Sequence, residues 1–487
     1  MKKNYIYTLL LTIFNIVFPI LSFPYISRIL GPVGVGKVQF VITFAQYFAL
    51  ISALGIPYYG VREIARVRLN NKELSKTFSE LLFIYVITSI LISVIYIVVV
   101  MAFIRFSSSM SYYLPSLLIV LLGFSSIDWF YQGIEEFKGI ALRSIFIKFA
   151  SLLMMYLFVK TAHDALLYLY ISIFSVLGNN IINIIFLRSK VSIDIKNLNL
   201  QRHLKPLFYI FGANLSIAMY NMLDTILLGL LSNDKSVGYY TASTKITRIA
   251  MPLVVSIGSV LLPKISESFH NNDNRYKALL AMSYSFIILL AVPATFALFL
   301  LAPELIHLVS GNAFAPAIIP MQILSVLPIF IGMGNLLGIQ VLISSGKERE
   351  MLKSVTVGMI LSIALNIILV PKMREMGAAI ANSVTELIVS CVFYYFVRKT
   401  YGITFSIKTF FNSVLSCLPF IPIIYLLRKN MHSEILLLGA SAILCSLIYF
   451  GIKYFFLKDI YTSEIIDKVK VVLLTRLGLN NDQKNSK

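Results

Sequence analysis

Fourteen apolar runs, each long enough to cross a bilayer as a helix, follow one another along this 487-residue chain with short polar joints between them. A crossing helix needs about 20 apolar residues. The runs fall near 5–30, 38–60, 79–103, 114–134, 140–160, 164–187, 208–231, 237–263, 278–302, 317–344, 350–370, 376–397, 409–428 and 433–457. They lack the strict alternation over ten-residue stretches that a membrane β-barrel requires. In hydrocarbon every backbone N–H and C=O must be satisfied within the segment, so helices are the remaining solution. The expected fold class is an all-α polytopic membrane protein of about 14 transmembrane helices. Only 13% of residues are charged, against about a quarter in soluble domains, which excludes the water-soluble enzyme classes.

The start of the chain has the outline of a signal peptide, with Lys2 and Lys3 before an apolar run. No small-x-small cleavage site ends that run, which continues through Pro19 and Pro24 to Leu30, so it is expected to be the first transmembrane helix. The net charge is +20, from 42 Lys and Arg against 22 Asp and Glu. In a membrane protein this excess belongs to the cytoplasmic loops, and no nucleic-acid partner is expected. With the N-terminus inside, the inner segments hold about 30 basic residues and the outer ones about 8. The inner set includes Arg62, Arg66, Arg68, Lys72 and Lys76 in one loop, and Arg188, Lys190, Lys196, Arg202 and Lys205 in another. Both termini are then expected in the cytoplasm. The basic tail 458–487, with Ile465, Ile466, Val469, Val472 and Leu473, is expected along the inner membrane surface. Cys391, Cys417 and Cys445 all stand in apolar runs at spacings that offer neither a metal site nor a disulfide framework.

The polar stretch from Arg188 to Lys205 divides the chain into halves that repeat weakly. Span one ends Ser27-Arg28-Ile29-Leu30-Gly31-Pro32 and is followed by Val35-Gly36-Lys37-Val38. Span seven ends Asp224-Thr225-Ile226-Leu227-Leu228-Gly229 and is followed by Val237-Gly238-Tyr239-Tyr240. Pro57 with Arg62 in one half answers Pro263 with Lys264 in the other. Six spans separate the matches, and an even number preserves direction, so the repeat is parallel. The expected organisation is an N-terminal bundle over 1–200 (spans 1–6), a C-terminal bundle over 201–400 (spans 7–12), two added spans over 401–457 and the tail 458–487, with a central cavity between the pseudo-symmetric bundles.

These motifs carry a resemblance. The run Phe23-Pro24-Tyr25-Ile26-Ser27-Arg28-Ile29-Leu30-Gly31-Pro32-Val33-Gly34-Val35-Gly36 resembles the opening signature of Wzx-type polysaccharide repeat-unit flippases. The run from Asp224 to Ile246, with Val237-Gly238-Tyr239-Tyr240-Thr241-Ala242-Ser243-Thr244-Lys245-Ile246, resembles their second-half signature. These flippases belong to the multidrug, oligosaccharidyl-lipid and polysaccharide exporter superfamily. The resemblance implies a V-shaped pair of bundles in the bacterial inner membrane that moves an undecaprenyl-pyrophosphate-linked glycan from the inner to the outer leaflet. It implies, as partners beside the lipid bilayer, a polysaccharide polymerase and chain-length machinery.

The residues support that direction independently. An ionised side chain in mid-bilayer costs several kcal/mol, so such groups face a cavity or a partner. Arg28, Asp128, Lys148, Asp224, Lys245, Arg248 and Glu386 stand inside the expected spans. Asp128 and Lys148 lie at similar depth on a hairpin and are expected to form a salt bridge; Asp224 and Lys245 are placed to do the same. Lys245 and Arg248, three apart, share a helix face. With Arg28 they exceed the acid available to neutralise them, so Arg28, Lys245 and Arg248 are the expected pyrophosphate contacts, guanidinium forks matching phosphate oxygens. The competing role for Arg28 and Lys245 is snorkelling to headgroups from near a helix end. Asn214, Asn221 and Asp224 share one face of span seven, and Asn179, Asn180 and Asn183 cluster on span six, where they can bind sugar hydroxyls or join helix to helix. Pro19, Pro24, Pro252, Pro293 and Pro328 mark places where a span can bend.

No cofactor and no metal is expected. Gly31 to Lys37 lacks the spacing of a nucleotide-binding loop, there is no HExxH, and His163, His203, His270, His307 and His432 all lie in loops or at span ends. Energy for transport is left to the membrane potential, about 2.3 kcal/mol per charge per 100 mV, or to an ion gradient with Asp128, Asp224 or Glu386 as the titrating group. Four alternatives stand beside the main reading: a peptidoglycan-precursor lipid flippase, a drug or cation antiporter of the same superfamily, a purely structural partner in an envelope assembly, and a membrane glycosyltransferase or polymerase. The last needs a large outer loop with catalytic groups, whereas the longest, 302–316, holds only Glu304 and His307.

Overall fold

The computed structural model describes residues 2–103, 109–187, 190–193, 198–271 and 273–457; within these the side chains of 2–6, 8, 9, 209, 210 and 212–221 are left aside. The expectations for the tail 458–487 and for the side chains of Asn214 and Asn221 fall outside this description. The helices in chain order are α1 (Lys2–Ser52), α2 (Ile56–Val67), α3 (Asn71–Ala102), α4 (Met110–Leu121), α5 (Asp128–Gly133), α6 (Phe137–Phe158), α7 (Ala165–Leu187), α8 (Gln201–Leu231) and α9 (Asp234–Arg248). They continue with α10 (Met251–His270), α11 (Arg275–Leu300), α12 (Ala302–Ser310), α13 (Ile318–Leu324), α14 (Leu327–Gly334), α15 (Glu348–Tyr401), α16 (Ile407–Cys417), α17 (Phe420–Asn430) and α18 (Glu434–Gly451). No strand occurs among the described residues.

Among the described residues nine helices are long and apolar enough to cross a membrane, or eleven if two bent pairs each count as one span. Two of the nine, α1 with 51 residues and α15 with 54, run to roughly 80 Å at 1.5 Å per residue, more than twice the hydrocarbon thickness. Each breaks once inside, α1 at Gly31 (φ 64°) and α15 at Arg374 (φ 49°). Those breaks coincide with the joints expected between spans one and two and between spans eleven and twelve, so fourteen crossings are compatible with the helices present. At Gly31 the backbone takes a conformation that only glycine adopts without strain, and Pro32 then opens the next helical stretch.

Prolines act as punctuation at two of the five expected bends. Pro252 and Pro328 stand in the first turns of α10 and α14, where a missing N–H costs nothing. Pro19, Pro24 and Pro293 lie inside continuous helix. The expected span 237–263 is therefore two helices, α9 and α10, broken just after Arg248.

The chain forms two compact units. The first comprises Met1–Lys245, Val309–Pro320 and Val355–Asn382; the second comprises Ile246–Leu308, Met321–Ser354 and Ser383–Lys487 so far as described. In the first, an aromatic core gathers Phe78, Trp129, Phe130, Tyr131 and Ile84, with Trp129 stacked on Phe78 at 5.5 Å between centroids. The amphipathic helix α2 closes on it through Ile56, Tyr59, Gly60 and Ile64, one face by spacing. A side chain at Gly60 would strike the Trp129 ring at 2.4 Å, so glycine is what lets α2 lie this close. Asn70 then starts α3 by accepting bonds from the Lys72 and Glu73 N–H groups at 3.1 and 3.3 Å. Along α3, Ile87, Leu91, Val94 and Val98 form an exposed apolar stripe suited to lipid.

In the second unit, side chains tie helices through backbone carbonyls. Tyr449 of α18 donates to Leu289 O of α11 at 3.0 Å, and Ser390 of α15 donates to Phe330 O of α14 at 3.0 Å. Arg428 Nε bonds Glu304 Oε1 at 2.5 Å, joining α17 to α12. A π-helical segment, Asn335–Ile343, follows α14. There the buried Gln340 donates to Asn335 Oδ1 at 3.1 Å, opposite Gly258.

Candidate functional site

The polar centre of the first unit is Asp224, on α8 and only 3% exposed. Its carboxylate accepts four hydrogen bonds from three directions. Tyr240 of α9 donates at 3.2 Å, Ser362 and Asn366 of α15 donate at 3.2 and 2.7 Å, and the Asn382 carboxamide donates to Oδ2. Asn366 and Asn382 would stand about 24 Å apart on a straight helix. They meet at one carboxylate because α15 folds back on itself at Arg374. Gly377 allows the two arms to close, since a side chain there would lie 2.6 Å from Leu369 O. An ionised carboxylate has acceptor capacity at both oxygens, and the four neutral donors use both. Asn366 Oδ1 is itself buried with no hydrogen-bond partner among the described residues.

The expected Asp224–Lys245 pair does not form. Lys245, half-buried on α9, places Nζ 4.6 Å from the centroid of the buried Phe23 ring on α1. It exchanges an ion pair for a cation–π contact. The contact brings Lys245 against the helix that carries Arg28. Arg28 itself is exposed, its Cγ 3.4 Å from where a side chain at Gly311 would begin. Arg248 ends α9 and is exposed. The proline at 252 has no N–H to offer the Arg248 carbonyl, which favours the break between α9 and α10 at this point. Of the three expected anion contacts, Arg28 and Lys245 thus belong to the first unit and Arg248 to the second.

A second buried carboxyl repeats the pattern in the N-terminal half. Asp128, at the start of α5, accepts from Asn183 Nδ2 at 2.7 Å and Asn179 Nδ2 at 3.5 Å, both on α7. Lys148 is not its partner: the lysine donates instead to Asn15 of α1. The expected Asp128–Lys148 salt bridge is therefore replaced by carboxamide contacts on both sides. Helical periodicity explains the difference, because equal depth on a hairpin does not fix which faces meet. Each half holds one aspartate between two asparagines, with Asn179 and Asn183 on span six and Asn382 on span twelve. Glu386 is half-buried in the second unit.

Three buried ionisable groups escaped the sequence reading because each stands within a few residues of an expected span boundary. One of them, Lys453 near the end of the span 433–457, is 2% exposed with Nζ 5.4 Å from the Tyr449 ring centroid. Arg143, the fourth residue of the span 140–160, lies over the Tyr131 ring at 4.3 Å, and its Nε and Nη2 are buried without hydrogen-bond partners among the described residues. Glu80, the second residue of the span 79–103, is fully buried and paired with Arg202 and His203. Among the described residues no group of three or more His, Cys, Asp and Glu side chains could hold a metal ion.

Comparison with known proteins places this architecture. A solved lipid II flippase, MurJ, in an inward closed conformation superposes with a TM-score of 0.73 over 95% of this chain and 100% of that one, at 16% identity, a likeness of fold. A protein of Escherichia coli (strain K12) named for O-antigen transport is 27% identical over 407 residues, which cover 82% of this chain and 97% of the relative. A protein of Shigella dysenteriae with the same name is 23% identical, covering 80% and 98%. The family model described as polysaccharide biosynthesis protein matches residues 1–269, more than half of the chain, and this multi-pass membrane protein belongs to that family.

Proposed function

We propose that the chain is a flippase that carries undecaprenyl-pyrophosphate-linked oligosaccharide repeat units from the inner to the outer leaflet for cell-surface polysaccharide biosynthesis. The observation that carries the reading is similarity along nearly the whole length of two relatives named for O-antigen transport. It is a transport function rather than a catalytic one, and polysaccharide polymerase and chain-length machinery are the partners it calls for. On this reading the membrane is the bacterial inner membrane, with both termini in the cytoplasm.

The chemistry of the named residues supports the substrate class. A pyrophosphate diester carries about two negative charges, and guanidinium matches its oxygens in bidentate geometry. Arg28, Lys245 and Arg248 are the proposed contacts. Lys245 is oriented by Phe23, and Arg248 is exposed at the end of α9. Asp224 and Asp128 are the proposed coupling groups, with Glu386 a further candidate and Lys148 a polar lining residue. Each aspartate is bonded by carboxamides, which turn a different edge to a carboxylate than to a neutral acid. A change in the charge of Asp224 therefore reaches α9 and both arms of α15 at once, and a change at Asp128 reaches α7. Asn214 and Asn221, on the same helix as Asp224, are proposed to meet sugar hydroxyls.

The test is rescue of a bacterial strain that lacks its own repeat-unit flippase, with lipid-linked glycan quantified on each side of the membrane. Outer-leaflet glycan that depends on this chain supports the reading. Absence of rescue with inserted protein across a panel of donor glycans overturns it.

A further inference from the structure

The first unit holds a second basic feature away from Arg28 and Lys245, at the end of the bundle where α2 meets the start of α8. A cavity of about 520 Å³ opens there, and its lining includes Tyr59, Arg62, Glu63, Arg66, Thr77 and Arg202. Its floor is a closed polar network. The fully buried Glu80 accepts from Arg202 Nε at 2.9 Å and from the Asn199 N–H at 2.8 Å, and meets His203 Nε2 at 2.9 Å. His203 in turn meets Tyr59 Oη through Nδ1 at 2.9 Å. Arg202 Nη2 also donates to Thr77 at 3.2 Å. Glu80 is thus fully engaged behind the wall, and it fixes Arg202 against the cavity.

The wall itself carries an excess of positive charge. Arg62 and Arg66 share one carboxylate, Glu63, at 3.1 and 3.3 Å. Arg62 uses only Nε, Arg66 only Nη1, and Arg202 leaves Nη1 without a hydrogen bond to any described residue. Three guanidiniums therefore keep donors in reserve around one cavity. The surroundings set its level in the membrane. Tyr58 is 66% exposed, Phe208 60% and Leu69 96%, and each stands within two residues in sequence of a lining residue, Tyr59, Pro206 and Val67. Apolar surface giving way to arginine is the pattern of a headgroup boundary.

We propose that this cavity is a phosphate-binding site at the membrane surface, taking the phosphate of an anionic lipid headgroup between Arg62, Arg66 and Arg202. A guanidinium fork matches phosphate oxygens in bidentate geometry, and the buried network beneath pre-positions one of the three. The site stands on the cavity and its charges and does not depend on the transport reading.

The test uses the purified full chain in a phosphate-free maltoside detergent, titrated with inorganic pyrophosphate by calorimetry. The cavity is read from the part of the binding that depends on Arg62 and Arg66, since Arg28, Lys245 and Arg248 are proposed to take the same probe. Saturable binding is expected, weakened about ten-fold or more in R62Q/R66Q, whose side chains are exposed and whose loss spares the Glu80 network. The variant K72Q/K76Q removes the same charge from the adjoining turn, outside the cavity, and is expected to bind as the parent does. Added phosphatidylglycerol is expected to displace pyrophosphate, which identifies the lipid headgroup as the occupant. If the binding that depends on Arg62 and Arg66 is undiminished in its presence, the lipid assignment is overturned in favour of a soluble phosphate. Absence of saturable binding, or equal weakening in both double variants, overturns the site.

Discussion

Gly36 and Gly238 pack against each other's helices in a reciprocal contact. A side chain at Gly36 would lie 1.7 Å from the carbonyl oxygen of Asp234, and one at Gly238 would lie 2.0 Å from that of Pro32. Asp234 is four residues before Gly238, and Pro32 is four before Gly36, so each half offers the other the same surface. Such an exchange is what a local two-fold relation between α1 and α9 produces. It joins the two motifs whose likeness first suggested a duplication. Small residues are what permit helix backbones to come this close.

Alanine at either glycine forces the two backbones apart. G36A and G238A are each expected to cost about 1–3 kcal/mol through overpacking. The double variant is expected to cost less than their sum, because one separation relieves both clashes. Unfolding in detergent of the four proteins measures this, and strict additivity would contradict the reciprocal contact.

Asp224 is expected to be indispensable to glycan export. In D224N an amide N–H₂ replaces one acceptor oxygen and faces donors from Tyr240 or Asn382, so the arms of α15 lose their common anchor. Leaving a buried donor unsatisfied in this way costs about 1–3 kcal/mol. Export in the rescue strain is expected to fall at least to a tenth, about 1.4 kcal/mol of effect, with N366A and N382A intermediate. Parental export from an inserted D224N protein would remove Asp224 from the mechanism.

Arg248→Ala is expected to abolish export while the protein stays inserted and abundant, and Arg248→Lys to restore it in part, since a lysine keeps the charge and loses the fork. Normal export from the alanine variant would show that the guanidinium does not contact the pyrophosphate.

Asp128 should couple to Asn183 and not to Lys148. A double-mutant cycle on Asp128 and Asn183 is expected to give about 1.5–3 kcal/mol, the range for a hydrogen bond to a charged group. The cycle on Asp128 and Lys148 is expected to fall below about 0.5 kcal/mol. A larger value for the lysine pair would mean that the two meet in a state other than this one.

Much of this protein could be read without coordinates. Spans are set by local hydrophobicity, because a backbone in lipid must bond to itself, and that requirement is met residue by residue along the chain. The joints at 31–37 and 371–375 were legible for the same reason: a glycine beside a proline, or a short charged run, interrupts helix wherever it occurs. The duplicated glycine motifs were legible as words. That they touch each other was not.

What only the tertiary structure decided is which polar groups meet. Asp128 and Lys148 share a depth, as do Asp224 and Lys245, yet neither pair forms, because helix rotation and neighbour choice are settled by packing over the whole unit. Asp224 finds three of its four partners on α15, more than a hundred residues later, and brings Asn366 and Asn382 together only because that helix turns back at Arg374. Glu80 and Arg143 sit at the edges of their spans, where hydropathy does not distinguish a solvated charge from a buried one. Hydrophobicity is a property of a segment and can be summed along the sequence; a hydrogen bond between distant helices depends on rotation and contact, which no segment determines alone.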